Sequence, residues 1–170
     1  MDQSIRRLNQ LSAGEAEAEF LKCCGARRWA KAMTEARPFS SIELLLTKAN
    51  EAWQSLSETD WLEAFRAHPK IGERKAAATQ SPQAANWSAQ EQSQAQQADD
   101  ETKTAIAQGN ELYETRFGFI FIICASGKSA DEILTSLTER LGNDAGTEMR
   151  IAAEEQRKIT QLRLQKLLET

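Results

Sequence analysis

Residues that favour β-strands are scarce in this chain. Its 170 residues include no valine and a single tyrosine, while Ala, Leu, Glu, Gln, Lys and Arg dominate. β-Branched and aromatic side chains are what suit a pleated sheet, and the residues standing in their place are strong helix formers. Helix-start signals recur in one form: Ser12-x-x-Glu15, Ser40-x-x-Glu43, Ser57-x-x-Asp60, Ser88-x-x-Glu91 and Ser129-x-x-Glu132. At this spacing the serine hydroxyl accepts from the backbone N–H three residues on, and the acidic side chain reaches back to the serine's own N–H. An all-α fold is expected.

The stops agree with the starts. Gly25 closes the first run, and Ala26 to Ala36 halts at Arg37-Pro38, because proline disfavours helix in the residue before it. From Ser41, Leu44, Leu45, Ala49, Ala52, Trp53 and Leu56 repeat at three and four. Trp61, Leu62 and Phe65 line a shorter helix ending near His68-Pro69. Ile71 to Trp87 reads as a surface loop with room for a turn of helix. Ser88 to roughly Arg116 is polar but rich in Ala and Gln. It is either a solvent-bridging helix or one packed on small residues, with Gly109 as a place to kink. Phe117 to Cys124 could form a strand but has no partner, so a buried helix or an extended core segment is expected. Asp131 to Leu141, with Gly142 at its C-cap, and an amphipathic Thr147 to Leu168 complete the chain. The latter places Met149, Ala152, Ile159, Leu162 and Leu167 near one face. The expectation is one compact all-α domain, 1–170, of seven or eight helices.

Several function classes fall away. His68 is the only histidine, so no site can use two imidazoles. Cys23 and Cys24 adjoin, Cys124 stands alone, and there is no C-x-x-C pair, so neither a zinc site nor a disulfide framework is expected. The net charge of −4 offers no basic footprint for nucleic acid. Phe117 to Ala125 is far short of the roughly 20 apolar residues that span a membrane. The opening MDQSIRRLNQ lacks the apolar stretch of a signal peptide. A cytoplasmic protein is expected, with no nucleic-acid or membrane partner.

Four places could carry chemistry. Imidazole titrates near ~6.5, and Pro69 forces His68 out of helix geometry, so that its side chain can face a cleft. A histidine that packs and hydrogen-bonds at a helix C-terminus explains the same residues. Ser88-x-x-Glu91-Gln92 is first of all a capping box. A helix start can also hold an anion, and Glu91 can accept N–H bonds from a urea-like ligand. Arg163 lies between Leu162 and Leu164, near an apolar stripe, where a guanidinium implies an ion pair or a bound carboxylate. Gly118 and the small residues Cys124 to Gly127 would let a ligand approach the backbone, although such stretches also serve packing.

In order along the chain stand Trp61-x3-Phe65-x2-His68-Pro69-x-Ile71-Gly72, Ser88-x2-Glu91-Gln92, and Asn110-x2-Tyr113-x2-Arg116-Phe117-Gly118-Phe119-x-Phe121-x-Ile123-Cys124-Ala125. Leu137-x2-Arg140-Leu141-x-Asn143, Glu148, Glu155, Lys158-Ile159 and Leu162-Arg163-Leu164 follow. Together they resemble the OHCU decarboxylase family, whose substrate is 2-oxo-4-hydroxy-4-carboxy-5-ureidoimidazoline. The resemblance implies a cofactor-free all-α homodimer, with no metal, that performs the last step from urate to (S)-allantoin on a small-molecule substrate. It implies that His68 is the catalytic histidine and Pro69 its neighbour in the pocket. Ser88 to Gln92 would be a ligand-binding helix start, with Glu91 the principal carboxylate. Phe121, Ile122, Ile123, Cys124 and Ala125 would present backbone groups to the ring, and Arg163 would be a pocket arginine.

The chemistry of these residue types fits that role. Loss of CO2 leaves an electron pair, and a conjugated ring C=N lets the substrate take it up without an added electron sink. His68 would handle the hydroxyl proton, Glu91 and Gln92 would clamp ring and ureido N–H groups, and Arg163 would meet a carbonyl or developing oxyanion. Two departures stand out. Lys70-Ile71-Gly72-Glu73 replaces the Asp-Leu-Ala or Asp-Leu-Gly of many relatives, and Ile120 occupies a common proline position. Competing readings are a helical interaction module without catalysis and a ureido-ring hydrolase or lyase.

Overall fold

The computed structural model describes residues 2–73 and 80–170, and all regular structure among them is helical. The helices are α1 (Gln3–Gln10), α2 (Ala13–Cys23), α3 (Arg27–Glu35), α4 (Ile42–Gln54) and α5 (Glu58–Arg66). After the undescribed stretch come α6 (Pro82–Glu91), a 3-10 turn (Ala95–Gln97), α7 (Asp100–Phe117), α8 (Ala130–Arg140) and α9 (Ala145–Glu169). That makes nine α-helices among the described residues, where seven or eight were expected: α1 is one addition, and α6 takes in Pro82 to Trp87, the end of the stretch read as a surface loop, of which 74–79 lie outside the described residues. Its N-cap is Asp2, which accepts from Ser4 N.

The residues cluster in two compact units. One runs up to Ala64 and resumes from Arg157 to Thr170; the other is Phe65–Gln156. In the first, α2 packs on α3 and α3 on α4. Phe20 is the hub, edge-on to Trp29 at 5.9 Å and to Phe39 at 6.4 Å, and all three rings are fully buried. Buried Trp29 satisfies its indole N–H on the Ala49 carbonyl. Ser12 and Glu15 form a complete capping box at the start of α2. The cap of α4 is Ser41 rather than Ser40.

In the second unit α7 packs against α8. α7 is continuous through Gly109, so the glycine does not interrupt the helix. Glycine at 109 serves close packing instead: a Cβ there would stand 2.5 Å from Leu137 Cδ2 on α8. The buried positions Ile106, Gly109, Asn110 and Tyr113 show that α7 has a core-facing side and is not a solvent bridge, although of these only Gly109 is small. It ends at Gly118, whose φ of 79° is the left-handed cap conformation that glycine adopts freely. Residues 118–129 then run without helix or strand. Of the two forms expected for Phe117 to Cys124, the non-helical core segment is the one observed, and Phe119, Phe121, Ile122 and Ile123 are buried.

The largest correction concerns Ser88. It does not open a helix; it sits in the last turn of α6, which Ser81 caps by accepting from Ala84 N. Ser81-Pro82 is the stronger start signal, because proline at the first helical position has φ preset and gives up no needed N–H. Glu91 is therefore the last residue of α6 and Gln92 its C-cap. That end of the helix presents carbonyls, so a ligand-binding helix start at Ser88 is ruled out on geometry. The polar stretch from Ser88 is also broken, and α7 has its own cap, Asp99 accepting from Thr102 N at 2.8 Å.

Candidate active site

Pro69 stops α5 at Arg66, and the His68 N–H closes a turn onto the Phe65 carbonyl at 3.1 Å. The loop that follows is fastened residue by residue within the second unit. Lys70 pairs with Glu114 at 2.7 Å, and that carboxylate raises the ammonium pKa. The Ile71 carbonyl accepts from Asn110 Nδ2 at 2.9 Å. Gly72 has φ 88°, a left-handed conformation, and its N–H donates to Gln92 Oε1 at 3.0 Å. So the end of α6 and the face of α7 set the path of the chain just after the histidine.

The imidazole itself is held from α9. His68 Nε2 lies 2.6 Å from Oε1 of Gln156, a side chain with no solvent exposure. One residue earlier, buried Glu155 accepts the backbone N–H of Cys124 at 3.2 Å. A single Glu-Gln pair inside a rigid helix thus anchors both His68 and the non-helical segment.

That segment has no sheet ladder to satisfy its backbone. Arg140 Nη1 donates to the Ile122 carbonyl at 2.7 Å, and the guanidinium lies over the Phe121 ring, 4.4 Å from its centroid. Arg140 is fixed in turn by Glu148, with Nε at 2.7 Å and Nη2 at 2.6 Å from Oε1. Asn143 Nδ2 donates to the second oxygen, and the Tyr113 hydroxyl to the first. Burial, together with that carboxylate, pushes the Tyr113 phenol well above its usual range, so it stays a donor.

Pro69, Ser88 and Gln92 meet in one cleft of about 320 Å³, with Glu73, Gln80, Ala85, Ala89 and Gln96 completing its lining. Gln80 Nε2 donates to Ser88 Oγ at 2.7 Å, while its buried Oε1 has no hydrogen-bond partner among the described residues. Gln92 has its oxygen engaged by Gly72. Glu91 is half-buried at the helix end. Phe121, Ile122, Ile123 and Ala125 are buried, and Cys124 is half-buried. Arg163 belongs to the other unit, where it is 3 % exposed and donates to the Lys22 carbonyl at 3.3 Å.

A family model for OHCU decarboxylase matches residues 9–165. The chain belongs to the OHCU decarboxylase family. An OHCU decarboxylase of Amia calva is 34% identical over 171 residues, covering 97% of this chain and 94% of the relative. A uric acid degradation bifunctional protein of Arabidopsis thaliana is 40% identical over 151 residues, covering 89% of this chain and 47% of that protein. The chain thus spans about half the length of the Arabidopsis relative. A crystal structure of an OHCU decarboxylase in the presence of (S)-allantoin is 41% identical, with a TM-score of 0.77 over 89% of this chain and 98% of that one. The all-helical architecture of the described residues matches that OHCU decarboxylase structure.

Set beside that family, the two departures have local explanations. Lys70, in the first departure, pairs with Glu114 on α7. Ile120 leaves its segment an additional N–H donor where proline would have none. Sequence reasoning missed Gln156, the partner of the histidine. Its signal was there: Ala152, Gln156, Ile159 and Arg163 share a helical stripe, and an uncapped polar side chain on a buried stripe needs a partner. Among the described residues, no three His, Cys, Asp or Glu side chains are grouped to hold a metal ion, and no helix is long and apolar enough to cross a membrane.

Proposed function

We propose that this chain decarboxylates 2-oxo-4-hydroxy-4-carboxy-5-ureidoimidazoline to (S)-allantoin and CO2, with no cofactor and with His68 as the proton-handling group. The observation that carries it is the placement of the only imidazole, fastened by buried Gln156 and joined through Pro69 to a cleft lined by Ser88 and Gln92. As the carbon–carbon bond to CO2 breaks, its electron pair passes into the ring C=N, whose nitrogen takes up a proton. The hydroxyl proton goes to His68, the carbinol carbon becomes a carbonyl, and the ureido-bearing carbon is protonated on one face. Glu91 accepts N–H groups of the ligand, and Gln92 donates its amide N–H to a ligand carbonyl. The backbone of Phe121 to Ala125, held by Arg140 and Glu155, lines the ring's other side.

The substrate is prepared in situ from urate, and CO2 release and allantoin chirality are followed. The native chain accelerates both over spontaneous decay, and His68→Asn loses roughly 10²–10⁴-fold in kcat, the contribution of a general acid–base group. Near-normal turnover by His68→Asn refutes the assignment, and a ring-opened product without CO2 favours a hydrolase. The homodimer that the family resemblance implies and the cytoplasmic compartment expected from the sequence belong to the same proposal. Sedimentation of the purified chain tests the first.

A further inference from the structure

We propose that Gln156 is a positioning residue that fixes His68 in its Nε2–H tautomer, so that Nδ1 is the atom that receives the substrate's hydroxyl proton. The catalytic half of this rests on the decarboxylase reading; the tautomer half stands on geometry alone. Facing the amide oxygen of Gln156 at 2.6 Å, Nε2 is assigned as the N–H donor, because an amide oxygen carries no proton. A neutral imidazole has a single N–H, and placing it on Nε2 leaves the basic lone pair on Nδ1.

The choice of glutamine has a chemical consequence. A carboxylate in the same place would also select Nε2–H, but it would favour the imidazolium and keep the base protonated. The neutral amide orients the ring without adding charge, so His68 begins the reaction able to accept. When the hydroxyl O–H bond breaks, its proton forms the new Nδ1–H bond and its electron pair becomes part of the new carbonyl. Nε2–H stays on the amide oxygen throughout. Gln156 is fully buried in the interior of α9, beside the Glu155 that holds Cys124. Pro69 restrains the backbone of His68 from the other side.

Because the chain has one histidine, long-range ¹H–¹⁵N correlation spectra of uniformly labelled protein show a single pair of ring nitrogens, which identifies the tautomer directly. The native spectrum should show a protonated Nε2 and an unprotonated Nδ1. Gln156→Met, matched in length but without an acceptor, should alter the ring signals and lower kcat roughly tenfold or more, with KM changed less than about threefold. Should that variant unfold, Gln156→Asn, which withdraws the carbonyl by one methylene, is read in the same way. A native spectrum with the proton on Nδ1, or a folded Gln156→Met with unchanged ring signals and unchanged kcat, overturns the proposal. A native Nε2–H spectrum without any decarboxylation overturns the catalytic half and the decarboxylase reading with it, while the tautomer assignment stands.

Discussion

Replacing Glu148 by leucine removes the carboxylate at the centre of the second unit's polar network. Glu148 has no solvent exposure and accepts from Arg140 Nε at 2.7 Å, Arg140 Nη2 at 2.6 Å, the Tyr113 hydroxyl and Asn143 Nδ2 at 3.1 Å. Glu148→Leu leaves a guanidinium that is only 7 % exposed without its counter-charge, and a phenol without its acceptor. Breaking a buried ion pair from one side costs about 3–5 kcal/mol, because the remaining charge stays desolvated. For a chain of this length each kcal/mol is worth roughly 2–4 °C, so Tm should fall by about 6–20 °C in a calorimetric or circular-dichroism melt. The companion variant Arg140→Met removes the cation, and the double variant removes both. The double variant should then be less destabilised than the sum of the singles, with a coupling of at least ~1 kcal/mol. It will not return to the native value, since the Ile122 carbonyl loses its donor. Glu148→Leu within about 1 kcal/mol of the native chain, or strict additivity in the cycle, would refute the claim that this pair holds the segment.

Two further perturbations test the packing. Gly109→Ala gains about 1 kcal/mol in helix propensity but sets a Cβ 2.5 Å from Cδ2 and 3.1 Å from Cγ of fully buried Leu137. Overpacking of about 1–3 kcal/mol outweighs that gain, so the midpoint of urea unfolding should fall, and a rise would show that α7 and α8 have slack. Burial pushes the Cys24 thiol from 9.0 up to about 12 and raises that of Cys23 as well. In the native chain at about pH 8, a thiol reagent should therefore modify half-buried Cys124 and leave the adjacent pair untouched. Both thiols are held neutral by folding, so their stabilising contribution is complete below 9.0 and is lost as pH climbs toward about 12. Urea midpoints measured across that window should decline, and a flat profile would contradict the burial.

Much of this fold is written in local signals. Ser12, Ser129 and Pro69 act within four residues of themselves, and the structure places caps and stops where those residues put them. Where two local signals compete, spacing alone misleads. Ser88-x-x-Glu91 has the spacing of a cap, but Ser81-Pro82 had already started the helix, and spacing alone does not say which serine comes first along a continuous turn. Gly109 shows a different limit, since a glycine that weakens a lone helix can be required by the neighbour packed against it. The candidate site was legible at His68 and Pro69, because a single histidine leaves no alternative imidazole. Its supports were less so: Gln156 lies 88 residues from His68, and nothing local to either names the other.

The buried polar residues follow from the fold class itself. Away from its ends a helix consumes its own N–H and C=O groups, so the run of backbone groups proposed to face the ring comes from chain that is not helical. In a β protein the neighbouring strands would satisfy the backbone groups facing away from the ligand, but no strand is present among the described residues. Side chains take that place, with Arg140 on the Ile122 carbonyl and Glu155 on the Cys124 N–H. Both are charged and buried, an arrangement that generally stabilises a fold less than apolar packing would. Their presence is better explained by what they hold in place. On the proposed function, substitutions at Arg140 and Glu155 should therefore affect turnover through the position of the 121–125 backbone as well as through stability. Arg140→Lys is the sharper test: it keeps the charge but loses the fork that reaches Glu148 and Ile122 together. It should lower kcat even in buffer where the variant remains fully folded, and native turnover by a folded Arg140→Lys would show that the segment is held without this clamp.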